Sequence, residues 1–311
     1  MNIDARAPGG YLIQSLLEKE RLVKEIGINR AAEALGIKSN TLKRDLRRLN
    51  QWRDLADEYR KIWDKINIPD HSKYPHISGD VLIVSDLHIP YTDVNLLATA
   101  TAVAGMFSIK KMVSVGDFFD FERLSKFDFG ADVTTPAQDL YMGSTLLSKL
   151  RKQFSEIWLL RGNHDERLIK FLKTIKRMYE THPELAEYSG IIGTDMSKTA
   201  WEQYKEFLEM DGVHVSNHPK ALIDNKFLVV HPSSYSMVPG NVEERIVQKY
   251  WKHVIGTHGH DSCLRFDRSG MFIVGRIGGL VDANKIFYKQ MRVTTHPEWV
   301  NGFAWTYKWC G

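Results

Sequence analysis

Between Val81 and Val274 one pattern recurs: a short apolar run that stops abruptly at a polar cluster. The runs are Val81–Ser85, Met112–Val115, Ile157–Leu160, Phe227–Val230, Val254–Gly256 and Met271–Val274. Continuous apolar runs of this length, bounded by turn-forming residues, predict buried strands. Helical periodicity fills several of the gaps, as in Asn95–Phe107 and Asp139–Phe154. Strands alternating with helices predict an α/β layered body. Residues 166–215 lack a strong strand pattern and read as a mostly helical insertion. Phe303, Trp305, Tyr307 and Trp309 alternate with a period of two, which predicts a strand with one aromatic face. That face is expected to bury against the sheet, with base stacking as the alternative.

The first 65 residues have a different texture. Tyr11–Lys24 predicts a helix with Leu12, Leu16 and Leu17 on one face. Asn29 is placed to cap a second helix, Arg30–Leu35, which Gly36 ends. Ser39 or Asn40 can cap a third from Thr41, where Leu42, Leu46 and Leu49 follow helical spacing. The polar stretch around Ile68–His76 contains two prolines and reads as a linker. The expected organisation is a small all-α domain over 1–66, a linker over 67–78 and a catalytic domain over 79–311.

Composition narrows the class. Apolar residues make up 43% of the 311, enough for a sizeable core. No apolar run approaches ~18 residues, so no membrane span is expected, and no signal-like h-region follows Met1. Two cysteines do not make a disulfide framework, so a cytoplasmic setting is expected. Charge is uneven: residues 1–65 carry 14 Lys and Arg against 10 Asp and Glu, while the rest is balanced at 28 of each. A basic module on a neutral body points to a polyanionic partner.

The polar clusters at the strand ends carry the chemistry. Val81–Ser85 runs into Asp86-Leu87-His88, and Met112–Val115 into Gly116-Asp117-Phe118-Phe119-Asp120. Ile157–Arg161 runs into Gly162-Asn163-His164-Asp165, Phe227–Val230 into His231, and His253–Ile255 into Gly256-Thr257-His258-Gly259-His260. In open α/β sheets, functional groups gather at the carboxyl ends of strands. If the chain stays extended, Asp86 and His88 share a face, as do His258 and His260. Carboxylate, amide and imidazole together suit Mn, Fe or Zn.

These residues in this order resemble the calcineurin-like metallophosphoesterases over about residues 79–285. The resemblance implies a double β-sandwich flanked by helices and two divalent transition-metal ions, Mn foremost, with Fe or Zn as alternatives. It implies that Asp86, His88 and His260 hold one ion and that Asn163, His231 and His258 hold the other. Asp117 would bridge them, His164 would be the catalytic histidine beside the leaving group, and Asp120 would orient His164. Water activated between the ions would attack phosphorus, with His164 protonating the departing oxygen. One departure bears on the substrate. The phosphoprotein phosphatase branch carries Arg-Gly after the second aspartate, where this chain has Phe121-Glu122. Arg123 and Arg161 remain candidate phosphate contacts, or else surface ion pairs.

Residues 29–49 resemble a helix-turn-helix of the Fis or resolvase type. In that arrangement Lys38, Ser39, Asn40, Thr41, Lys43, Arg44, Arg47 and Arg48 stay exposed. The cations would meet phosphates, and Ser39, Asn40 and Thr41 would meet phosphates or base edges. The alternative is a basic hairpin that packs on the body or mediates dimerisation. The expected function is therefore a metal-dependent phosphodiesterase or nuclease acting on DNA. The alternative is a phosphomonoesterase for a small molecule or phosphoprotein, with a regulatory or oligomerising N-terminal module.

Overall fold

The computed structural model describes residues 10–65, 74–126, 133–182, 184, 195, 197–286 and 299–307. Trp309 and most of the expected linker lie outside them. The chain divides into two compact units, Met1–Asp70 and His71–Gly311.

The first unit is three helices: α1 (Gly10–Ile26), α2 (Ile28–Ala34) and α3 (Ser39–Lys65). Ala31, Ala32 and Leu42 form its buried centre, packed by Leu22, Val23, Ile28, Ile37 and Leu46. Small residues at 31 and 32 let α2 approach its neighbours closely. Gly36 takes a left-handed turn, and the Ile37 amide donates back to the Ala32 carbonyl, closing α2. The cap expected from Asn29 is absent, because α2 starts earlier, after Gly27, without a side-chain cap. Asn29 instead accepts a hydrogen bond from the Ser39 hydroxyl at 3.1 Å. Lys19–Asp45 and the two-pronged Arg53–Glu20 pair tie α1 to α3.

The second unit contains β1 (His76–Ile77), β2 (Val81–Val84), α4 (Val94–Met106), β3 (Lys111–Val115), α5 (Pro136–Leu150), β4 (Glu156–Leu160), α6 (Asp165–Thr181), α7 (Ala200–Leu208), β5 (Val213–Ser216), β6 (Lys220–Ile223), β7 (Phe227–Val230), α8 (Asn241–Tyr250), β8 (His253–Gly256), β9 (Cys263–Phe266), β10 (Ile273–Arg276) and β11 (Ala304–Thr306). A five-stranded sheet runs β11-β2-β3-β4-β5 and a six-stranded sheet runs β1-β6-β7-β8-β10-β9. Side chains alternate across β2. Val81 and Ile83 enter the layer between the sheets with Val113, Val115, Ala221 and Val229. Leu82 and Val84 face a larger core with Leu97, Leu147, Leu168 and Leu208 of the helices. Val247 of α8 covers the outer face of the six-stranded sheet. The result is two sheets flanked by helices.

Two expectations are corrected. The end of the predicted linker is part of the body: Tyr74 and Ile77 are buried, and β1 pairs in parallel with β6. A two-residue strand beside two prolines is too short to register as a pattern. Residues 166–215 are not an appended helical insertion either. Their helices α6 and α7 pack into the main core and lead to β5, which pairs in parallel with β4. The segment is a crossover connection. Its strand, Val-His-Val-Ser at a sheet edge with His214 exposed and Val215 half-buried, lacks a continuous apolar run. Within the C-terminal aromatic run, Ala304–Thr306 forms a strand, β11, antiparallel to β2. Phe303 packs against the core, whereas Trp305 and Tyr307 remain largely exposed and meet Phe107.

Candidate metal centre

β2, β3 and β4 run parallel in one sheet, and β7 and β8 run parallel in the other. Asp86 and His88 follow β2, Asp117 follows β3, Asn163 and His164 follow β4, His231 follows β7, and His258 and His260 follow β8. The chain does not stay extended there. Asp86, His88, Asp117, His258 and His260 all have φ between 45° and 73°. The side chains converge through left-handed turns, not through strand alternation. Such conformations cost of order 1–3 kcal/mol each and concentrate at functional sites. Two glycines make the approach possible. A Cβ on Gly162 would lie 2.1 Å from the Asp117 amide, and one on Gly116 would lie 2.4 Å from the His231 ring.

Three groups bring their ligand atoms within 4.8 Å of one another: Asp86, His88 and His260; Asp117, His231 and the half-buried His258; and His88, Asp120 and His164. His88 belongs to two of them through its two nitrogens. Nδ1 lies 2.8 Å from Asp120 Oδ2, while Nε2 lies 3.9 Å from both Asp86 Oδ1 and Asp117 Oδ2. His231 is held in the same manner. Its Nδ1 is 2.9 Å from the Thr257 hydroxyl and 3.1 Å from the Val115 carbonyl, and its Nε2 is 2.9 Å from Asn163 Oδ1 and 3.4 Å from Asp117 Oδ2. A histidine oriented through one nitrogen, with the other turned toward carboxylate and amide oxygens, is the arrangement of a metal ligand with an outer support. Asp86 Oδ1, Asp117 Oδ2 and His88 Nε2 are buried and have no hydrogen-bond partner. Buried acceptors facing one another are costly unless a cation lies between them. These residues fit divalent ions, and the oxygen and imidazole donors are of hard to borderline character.

The charges agree. Burial works against the Asp117 carboxylate, but the surrounding histidines hold its pKa well below the usual range. Burial likewise disfavours a His231 imidazolium, yet Asp117 and Asp86 outweigh it and push the pKa up to about 9. Burial drives His260 down to about 3, leaving its imidazole neutral.

Further residues absent from the expected set brace this cluster. The Asp165 carboxylate accepts the Phe119 and Gly162 amides at 3.1 and 2.8 Å, tying the β4–α6 turn to the loop after β3. Asp117 Oδ1 accepts the His164 amide at 2.8 Å. Arg167, one turn along α6, donates to Asp120 Oδ1 at 2.9 Å and lies 3.2 Å from His164 Nε2. Arg276 pairs with Glu243 and Asp261 in the interior. Arg167 was detectable at i+3 from His164 on a helix, whereas the Arg276 pairings join distant segments and leave no local signal.

The remaining candidates fall elsewhere. Phe121 is fully buried and stacks on Phe119, and Glu122 accepts the Tyr91 hydroxyl at 2.5 Å. Arg123 donates to the Val133 carbonyl on the surface. Arg161 pairs with Asn217 and Glu166 beside Asn163. In the N-terminal unit Lys38, Asn40, Lys43, Arg44, Arg47 and Arg48 are exposed, and Ser39 and Thr41 are half-buried.

A double sandwich that gathers buried carboxylates and histidines at its strand ends is built for metal-dependent hydrolysis. Residues 79–270 match the calcineurin-like phosphoesterase family, and the chain belongs to it. It is accordingly a metal-dependent phosphoester hydrolase. Comparison with curated protein sequences gives no match. Among solved structures, the chain is similar to Pseudomonas putida nuclease MPE at 14% identity, with 65% of this chain and 74% of that one covered and a TM-score of 0.30. It is also similar to a metallophosphoesterase from Sphaerobacter thermophilus at 15% identity, with 66% and 78% covered and a TM-score of 0.36. Among the described residues no helix is long and apolar enough to cross a membrane.

Proposed function

We propose that the protein is a two-metal phosphodiesterase whose substrate is DNA. Asp86, His88 and His260 hold one ion, Asn163, His231 and His258 hold the other, and Asp117 lies between the two sets. Manganese suits this donor set best, with iron or zinc as alternatives. Ions held there supply Lewis-acid polarisation of a phosphoryl oxygen and activation of water. His164 stands at the rim of the cluster with Nδ1 3.3 Å from Asp120 Oδ2. Asp120 orients the ring, and His164 gives a proton to the leaving oxygen. Asp120 meanwhile supports His88, so one carboxylate links metal binding to proton delivery.

The observation that carries the diester reading is the fate of Phe121 and Glu122. A phosphomonoester is a dianion and calls for an additional cation at the phosphate, whereas a diester carries one charge. At the position where an arginine would stand, Phe121 is locked in the core and Glu122 is bonded to Tyr91. The nearby Arg167 is engaged by Asp120 and His164. The DNA reading is supported by the helix-turn-helix resemblance and by Lys38, Lys43, Arg44, Arg47 and Arg48, which make no ion pair with a described residue.

The test compares the Mn²⁺-loaded protein on single- and double-stranded DNA, a bis-aryl phosphodiester and an aryl phosphomonoester. Cleavage of DNA and of the diester, with the monoester poor, is expected. Preference for the monoester would overturn the diester reading. Diester cleavage without DNA cleavage would overturn the DNA reading.

A further inference from the structure

Two adjoining cavities form a trough that starts at Asn163 and His231. The inner one, about 400 Å³, is walled by Arg161, Lys220 and Lys249. The outer one, about 300 Å³, shares Lys249 with it and adds Arg245. Among the described lining residues Glu166 is the one acid, and it is already paired with Arg161 and Lys170. Lys220 is held without a carboxylate: its ammonium hydrogen-bonds the Tyr250 hydroxyl at 2.8 Å and lies over the Tyr74 and Tyr250 rings. Arg245 and Lys249 sit one turn apart on α8, are exposed, and make no ion pair with a described residue. The field they belong to reaches His218. Burial lowers its pKa first, and the charges of Lys220 and Arg161 lower it further.

A concave wall of one sign concentrates ligands of the other. This wall begins at two of the metal-site residues and continues well past a single phosphate. We propose that the trough binds the backbone phosphates of a nucleic-acid strand on one side of the scissile bond. Arg161 and Lys220 serve the phosphate nearest the metals, and Arg245 and Lys249 serve those farther out. The inference rests on the phosphodiesterase reading above and adds to it a direction in which the substrate runs. It also explains the uneven wall: the apolar parts of Tyr250 and Ile246 face sugar and base, while the cations face phosphate.

The test uses the full chain, loaded with Mn²⁺, and the double variant R245Q/K249Q. Each is assayed on a fluorescent single-stranded oligonucleotide and on a bis-aryl phosphodiester. The ratio of kcat/KM on the oligonucleotide to that on the small diester should fall at least ~10-fold in the variant. The log–log salt slope for the oligonucleotide should become shallower by about 1.4, from two lost single-strand contacts. An unchanged ratio and slope would overturn the trough and leave the diesterase reading standing. Equal losses on both substrates would also overturn it, as a general defect. A wild-type protein that cleaves the small diester and no oligonucleotide would overturn the nucleic-acid reading itself.

Discussion

Arg167 Nη2 lies 3.2 Å from His164 Nε2. A guanidinium only donates, so the Nε2 facing it bears a lone pair and the ring proton sits on Nδ1, toward Asp120. Arg167 therefore sets the tautomer of His164 as well as its orientation. For His164 to act as an acid through Nε2, Arg167 must turn toward the phosphate and Nε2 must first take up a proton from water. Arg167→Ala is expected to lower kcat by about 10²-fold with metal content unchanged. His164→Ala should lose ~10²–10⁴-fold, the usual share of general acid catalysis. If the two act as a unit, the double variant will be no slower than His164→Ala alone. Multiplying losses would show that they act separately.

Arg276 is the second buried cation that organises the site. It donates to both oxygens of Asp261, at 2.8 and 2.9 Å, and to both oxygens of Glu243, at 2.9 and 2.8 Å. Asp261 directly follows His260, and a Cβ on Gly259 would lie 2.4 Å from Arg276 Nη1. The loop that carries His258 and His260 is thus shaped around this guanidinium. Arg276→Met would leave two buried carboxylates uncompensated, which typically costs ~3–5 kcal/mol. Denaturant unfolding should report that loss. Metal titration of the folded variant should show affinity reduced at least ~10-fold, as when an outer support is removed. Wild-type metal affinity would confine Arg276 to a structural role.

The site was more legible in the sequence than the fold around it. The candidate ligands sit at fixed short spacings after apolar runs, so Asp86-x-His88 and His258-x-His260 stand out without any long-range information. Their backbone did not follow from spacing, because extended and left-handed turns give the same residue pattern. Edge strands were lost for a related reason. β5 and β9 are partly exposed, and β1 is two residues long, so none makes a continuous apolar run. The outer supports, Arg276 with Glu243 and Asp261, depend on contacts 15 and 33 residues apart and are set by topology alone.

Asp139 offers a pH test away from the candidate metal centre. It lies buried on α5, accepts the Thr134 hydroxyl, and leaves Oδ2 unpartnered. Burial, and then the charges of Asp120 and Glu122, push its pKa up to about 6. The fold therefore favours the protonated acid. The penalty on its ionised form is fully present above pH 6 and is relieved as pH falls from 6 toward 3.8. Asp139→Asn removes the charge and keeps an acceptor for Thr134. The variant should match wild type near pH 4 and be more stable than it above pH 6, by at most ~3 kcal/mol before solvent screening, with a higher Tm as the readout. A Tm difference that does not grow with pH would contradict this account of Asp139.

Lys43, Arg44, Arg47 and Arg48 crowd one stretch of α3, while the acid among them, Asp45, is turned inward to Lys19 at 2.7 Å. Like charges so close repel at i, i+4, and nothing in the packing of Ala31, Ala32 and Leu42 requires them. A phosphate backbone would convert that repulsion into binding. Replacing all four by Gln should leave the helical circular dichroism intact and weaken duplex DNA binding. Each lost phosphate contact should make the log–log salt slope shallower by about 0.9. A fall in affinity with no change in slope would mean that these residues do not meet phosphates. Unaltered binding together with a changed molecular mass in solution would move the basic face from DNA recognition to self-association.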